Sequence, residues 1–188
     1  MKTFRSILLL LLFSVFLTTS VAIAADAEAG PTRLDGVWKL DWDRSDSFEP
    51  VMEALETPWL MRRLAGIARV GVELRAVAAP TDCDDCAEKV MVTLNTPIST
   101  KEVEVILDGV PRPGEDPRGR ATVDRYRWTP EEGLEMIREL ELPSGSQARI
   151  REIRSLGDDP NTLLSQLTVW VDGSERASIA RTFVRTGD

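Results

Sequence analysis

The chain has 188 residues, 43% hydrophobic and 29% charged, the composition of one ordinary globular domain and not of a disordered chain. Acidic residues outnumber basic ones 31 to 23, and a formal charge of −8 repels phosphate backbones, which argues against a nucleic-acid partner. Histidine is absent, removing Ser-His-Asp and Cys-His catalysis and histidine metal sites; two cysteines alone cannot build a zinc site, so no metal or cofactor is expected.

The first 24 residues read as an export signal. Lys2 and Arg5 precede an apolar run from Ile7 to Leu17, and Ala22-Ile23-Ala24 supplies small residues for signal peptidase. The run is short of the roughly 20 apolar residues of a membrane span, although an uncleaved anchor is the alternative. Cleavage after Ala24 leaves 164 residues with a formal charge of −10. The mature protein is then expected outside the cytoplasm, periplasmic or secreted, without stable membrane insertion. Residues 25–33 read as a flexible leader, and residues 34–188 as one domain.

Trp38, Leu40 and Trp42 alternate with polar residues and predict a first strand. Ser45-Asp46-Ser47 offers helix N-caps, and Phe48, Val51, Met52 and Leu55 follow at helical spacing. Pro58 separates this helix from a second one, Trp59 to Ala65, closed by Gly66. From Val70 the period becomes two. Strand patterns follow at 70–76, 90–95, 102–107, 121–128, 134–142, 148–154, 163–171 and 177–185, divided by turn signals such as Asp108-Gly109, Ser144-Gly145 and Asp172-Gly173. The expectation is a mainly β fold, an antiparallel up-and-down β-barrel with a short helix-turn-helix lid after the first strand. Three prolines in Val110–Gly119 bar a regular central strand and predict a long loop or a gap in the sheet there.

This order of elements resembles the intracellular fatty-acid-binding proteins of the calycin superfamily. GVWKL at 36–40 resembles the family's opening strand, SFEPVMEAL at 47–55 its first helix, and RRLAGIARVGVEL at 62–74 the end of its second helix and the next strand. RIREI at 149–153 and ARTFVR at 180–185 resemble the two late strands that carry its carboxylate-binding arginines. The likeness spans about residues 34–186. Three departures stand out: the export signal, the proline-rich 110–119 segment, and Phe183 where the family's Arg-x-Tyr ends in a phenol.

The resemblance implies a β-clam that holds a long-chain fatty acid or similar amphiphile, with Arg151, Arg181 and Phe183 at the head group. Ile179, Arg181 and Phe183 share one strand face, and a guanidinium there can grip a carboxylate with two hydrogen bonds. An internal salt bridge, with Glu152, Glu135 or Asp124, is the competing use of these arginines. Phe48, Val51, Met52, Leu55 and Trp59 form an apolar stripe, read as core cap, portal lid, or both. Cys83 and Cys86 are expected to form a local disulfide, since their acidic turn disfavours a thioredoxin-like thiolate. The expected function is a non-catalytic, monomeric carrier. The alternatives are a structural or interaction barrel filled by its own side chains, and a redox enzyme using the C-x-x-C pair.

Overall fold

Ten strands account for most of the described residues in the computed structural model, which describes residues 30–65, 70–77, 88–96 and 99–187. The signal sequence, Gly66, Cys83 and Cys86 lie outside the described residues. A 3-10 turn over Pro31–Leu34 takes up the end of the segment read as a leader, burying Pro31 and Leu34. Strand β1 (Gly36–Asp41) follows, then helices α1 (Glu49–Ala54) and α2 (Trp59–Ala65). The remaining strands are β2 (Gly71–Val77), β3 (Lys89–Thr96), β4 (Ser99–Ile106), β5 (Arg112–Glu115), β6 (Ala121–Thr129), β7 (Gly133–Glu141), β8 (Gln147–Leu156), β9 (Thr162–Val171) and β10 (Ser174–Thr186).

All pairings are antiparallel and join sequence neighbours, except that β1 also pairs with β10. The sheet therefore runs β4-β3-β2-β1-β10-β9-β8-β7-β6-β5, an up-and-down meander whose ladder stays open between β4 and β5. The gap falls at the proline-rich segment. Part of that segment does pair, as the four-residue edge strand β5, where a proline costs no ladder bond on the free side. One end of the gap is fastened by a bridge from Asp108 to Arg127 and by the Gly109 amide donating to the Tyr126 carbonyl at 2.8 Å. Arg112 grips both oxygens of Asp108, at 2.7 and 2.5 Å, and so fixes the turn leading into β5.

Alternation divides the inward side chains into two apolar clusters. The first holds Leu34, Trp38, Leu40, Val72, Leu74, Val90, Val105, Leu134, Leu163 and Phe183. Trp38 closes this end: its indole N–H donates to the Leu34 carbonyl at 2.9 Å, and the Arg185 guanidinium stacks 4.2 Å from its ring centroid. Gly36 is required here. Its φ is 146°, and a Cβ would sit 2.5 Å from an Arg185 nitrogen. The second cluster joins Val51 of α1 to Leu140, Leu142, Ala148, Ile150, Leu167, Val169, Val171, Ala177 and Ile179.

Helix α1 thus covers one mouth of the barrel. Of the residues read as its N-caps, Ser47 does accept from the Glu49 amide that opens the helix, at 3.2 Å, but the other two do something else. Phe48 occupies the cap position without a side-chain cap bond, while Ser45 and Asp46 pair with β10, accepting from the Thr182 and Ala180 amides at 2.9 and 2.7 Å. The chain between β1 and the lid is thereby tied to the strand that carries Arg181. Among the described residues no helix is long and apolar enough to cross a membrane.

Candidate functional site

Between the two apolar clusters the inward face turns polar. On β10 the inward series Ala177, Ile179, Arg181, Phe183 places one arginine where the apolar walls meet. Its guanidinium lies 5.2 Å from the Phe48 ring and 5.4 Å from the Phe183 ring, so cation–π contact from lid and wall brackets it. Its Nε is buried and has no hydrogen-bond partner, and it forms no ion pair with a described residue. Burial holds its pKa below the usual arginine value; Glu152 opposes that shift and Arg154 adds to it.

The neighbouring charges are already paired. On β8 the inward series is Ala148, Ile150, Glu152, Arg154 and Leu156, since its two ends belong to the two apolar clusters. Glu152 accepts from Arg154 Nε and Nη2 at 2.9 and 3.0 Å, and from the Ser165 hydroxyl at 2.7 Å. Burial alone would raise the Glu152 pKa, but Arg154, Ser165 and Arg181 together hold it below the ordinary glutamate value. On the adjoining strands β6 and β7, Arg138 clamps Asp124 bidentately at 2.8 and 2.6 Å. Tyr126 feels both pairs, and burial pushes its phenol pKa up. These polar groups are not sealed: the Glu152 and Arg154 side chains keep 13% and 17% of their surface accessible.

The expected site residues therefore separate. Phe48, Arg181, Phe183 and Ile179 come together inside the barrel, with Val51 and Met52 buried beneath the lid and Leu55 packed on the second cluster. Arg151 does not join them. It shares a face with Arg149 and Ile153, and that face is the outer one. There Arg151 donates to Glu135 at 2.5 Å and to Glu132 at 2.8 Å, while Arg127 pairs with the other oxygen of Glu135. The competing salt-bridge use thus describes Arg151, and Arg154 takes the inward position. Trp59 is 61% exposed, outside the apolar stripe, with Arg63 5.7 Å from its ring.

The mouth carries a further group that sequence reasoning missed. In the β5–β6 turn Asp116 accepts from the Arg118 and Arg120 amides at 2.8 and 2.9 Å, and from Arg120 Nε at 2.7 Å. Arg118 and Arg120 then donate to the Leu55 carbonyl, at 3.0 and 3.4 Å, just past the C-terminus of α1. Glu56 reaches the neighbouring β7–β8 turn and accepts from the Ser144 amide at 3.0 Å. The lid is thus fastened to two turns of the mouth. A recess of about 470 Å³ lies elsewhere, on the outer wall beside Arg149 and Trp170, away from this polar belt.

No protein-family model matches the chain, and no curated protein matches it in sequence. Solved structures do. The chain is similar to lipid binding protein 8 of Caenorhabditis elegans, with a TM-score of 0.64 and 13% identity over 85% of this chain and all of that one. It is similar to Echinococcus granulosus fatty-acid-binding protein 1, with a TM-score of 0.57 and 19% identity over 82% of this chain and 98% of that one. A third likeness is As-p18, an extracellular fatty acid binding protein, with a TM-score of 0.56 and 15% identity over 83% and 98% of the two chains. The chain has the fold of the fatty-acid-binding and lipid-binding proteins. At these identities the likeness concerns the fold.

Proposed function

We propose that this chain is an exported, non-catalytic, monomeric carrier that holds a fatty acid or similar amphiphile inside its barrel. The observation that carries the reading is Arg181: a buried guanidinium with an unpartnered Nε, bracketed by two phenyl rings, beneath a helical lid. A buried cation without a carboxylate is costly, and an anionic head group supplies what the fold omits. The apolar clusters on either side offer walls for an acyl chain, which gains about 0.8 kcal/mol per buried methylene. Accessible surface on inward polar groups favours an open lumen over a barrel filled by its own side chains. Phe183, in place of a phenol, offers a ring face but no hydrogen bond.

Native mass spectrometry of the mature protein from its own host, followed by organic extraction, tests this. A bound species that extracts as a fatty acid, and is lost in Arg181→Ala, is the expected outcome. An empty protein that also takes up no added long-chain fatty acid would return the chain to the filled, structural barrel.

A further inference from the structure

Among the described residues, five charged side chains of β6, β7, β8 and β10 point into the belt between the apolar clusters. Two are acids, Asp124 and Glu152, and three are arginines, Arg138, Arg154 and Arg181. Arg138 spends two donors on Asp124, and Arg154 spends two on Glu152. The belt therefore carries one net positive charge, located on Arg181. Arg185 stands apart at the closed end, against Trp38 and the Asp35 carbonyl. The Asp116–Arg118–Arg120 group stands apart at the mouth, where its arginines hold the lid.

We propose that Glu152 is the specificity-determining residue of the cavity: by occupying Arg154 it restricts the ligand to a single negative charge at Arg181. This rests on the carrier reading above and deepens it. Without Glu152, two guanidiniums on β8 and β10 would face the same head group. Ser165, the direct cross-strand partner of Arg181 on β9, donates its hydroxyl to Glu152 at 2.7 Å, so the carboxylate stands beside Arg181 and its charge acts on any anion held there. A monoanion neutralises the belt. A dianion leaves it one charge negative, in a site walled by apolar side chains where that charge is costly. Ser165 fixes the Glu152 carboxylate with a third hydrogen bond, so it does not swing away to make room.

Dodecyl sulfate and dodecyl phosphate provide the probes. They share a chain and a tetrahedral oxyanion, but at about pH 8.5 the sulfate bears one charge and the phosphate two, the second phosphate pKa being near 6. Titration calorimetry on the delipidated mature protein, each probe below its micellar concentration, gives the preference. Wild type is expected to favour the sulfate by about tenfold, a discounted value for one unit charge at short range. Glu152→Gln frees Arg154, and the preference should vanish or turn to the phosphate. Arg154→Met leaves Glu152 facing Arg181, and both probes should weaken by about tenfold. Glu152→Gln with Arg154→Met restores one net charge and should restore the wild-type preference, which also guards against a single variant that fails to fold. A preference that stays within twofold of wild type in Glu152→Gln, with binding intact, overturns the inference and leaves the carrier reading standing. Wild type that binds neither probe overturns both.

Discussion

Replacing Arg181 with methionine sets stability against binding. The methionine retains the apolar stem and removes the guanidinium. In the ligand-free protein the guanidinium is desolvated, and its Nε has no partner, a cost of about 1–3 kcal/mol. Opposing this, contact with the Phe48 and Phe183 rings contributes about 0.5–1 kcal/mol each. Glu152 remains satisfied by Arg154 and Ser165, so no new orphan appears. The balance for the ligand-free protein runs from about 1 kcal/mol less stable to about 2 kcal/mol more stable. The same change removes charge-assisted bonds to a carboxylate worth about 1.5–3 kcal/mol, weakening a bound fatty acid by roughly 10- to 100-fold. Urea unfolding of delipidated wild type and Arg181→Met measures the first effect, and displacement of a fluorescent fatty acid the second. A variant destabilised by more than about 1 kcal/mol without ligand would refute the reasoning, because the guanidinium would then be structural.

Arg151→Ala should leave fatty-acid affinity unchanged and lower stability by about 1–2 kcal/mol, since the enclosed Glu135 carboxylate keeps only Arg127; urea unfolding beside a binding titration checks both. Glu152 has a folded pKa below its ordinary 4.5, so its contribution is fully present above about pH 4.5 and is lost as pH falls through the depressed value. The urea midpoint of wild type should therefore drop as pH falls below about 4.5, and Glu152→Gln should flatten that drop. Gly36→Ala forces the Arg185 guanidinium off Trp38 at a positive φ, and should cost about 2 kcal/mol by thermal unfolding. Removing both Arg118 and Arg120 side chains frees the Leu55 carbonyl, and stopped-flow release of a fluorescent fatty acid should quicken by about thirtyfold, the two lost hydrogen bonds being worth about 1 kcal/mol each.

The fold was legible wherever side chains alternate cleanly. In β9, Leu163, Leu167 and Val169 face inward against Leu164, Gln166 and Thr168, and the strand lies within a residue of its expected limits. Helix α2 likewise occupies its expected span. The site was legible on β10, because Ile179 and Phe183 mark the inward phase and carry Arg181 with them. On β8 the same logic needed the whole strand. The segment Arg149–Arg154 is charged at four of six positions, so it offers little apolar phase of its own. Only Ala148 and Leu156 at the strand's ends, with Ile150, set the register that turns Glu152 and Arg154 inward and Arg151 outward. The Asp124–Arg138 pair was invisible for another reason. Its residues are 14 apart and meet only through the β6–β7 register, which pairs Asp124 directly with Arg138. The Arg118–Leu55 contact joins segments 63 residues apart through a backbone carbonyl, for which sequence carries no signal.

The lid and the head-group arginine are one mechanical unit. Phe48 sits at the start of α1 and stacks on Arg181, while Ser45 and Asp46, just before it, bond the backbone of Thr182 and Ala180, the two neighbours of Arg181. The entry to the lid is therefore anchored on both sides of Arg181, the residue proposed to meet the ligand's charge. The other end of α1 is held by contacts that replace orphan backbone bonds, Arg118 and Arg120 on the Leu55 carbonyl. These are about 1 kcal/mol each, whereas the anchor combines paired bonds to the β10 backbone with a partly buried ring. On the carrier reading, an opening motion is expected to break the Leu55 end before the Phe48 end, and a carboxylate at Arg181 would neutralise the cation that Phe48 stacks on, linking occupancy of the proposed head-group site to the lid through a single pair of side chains.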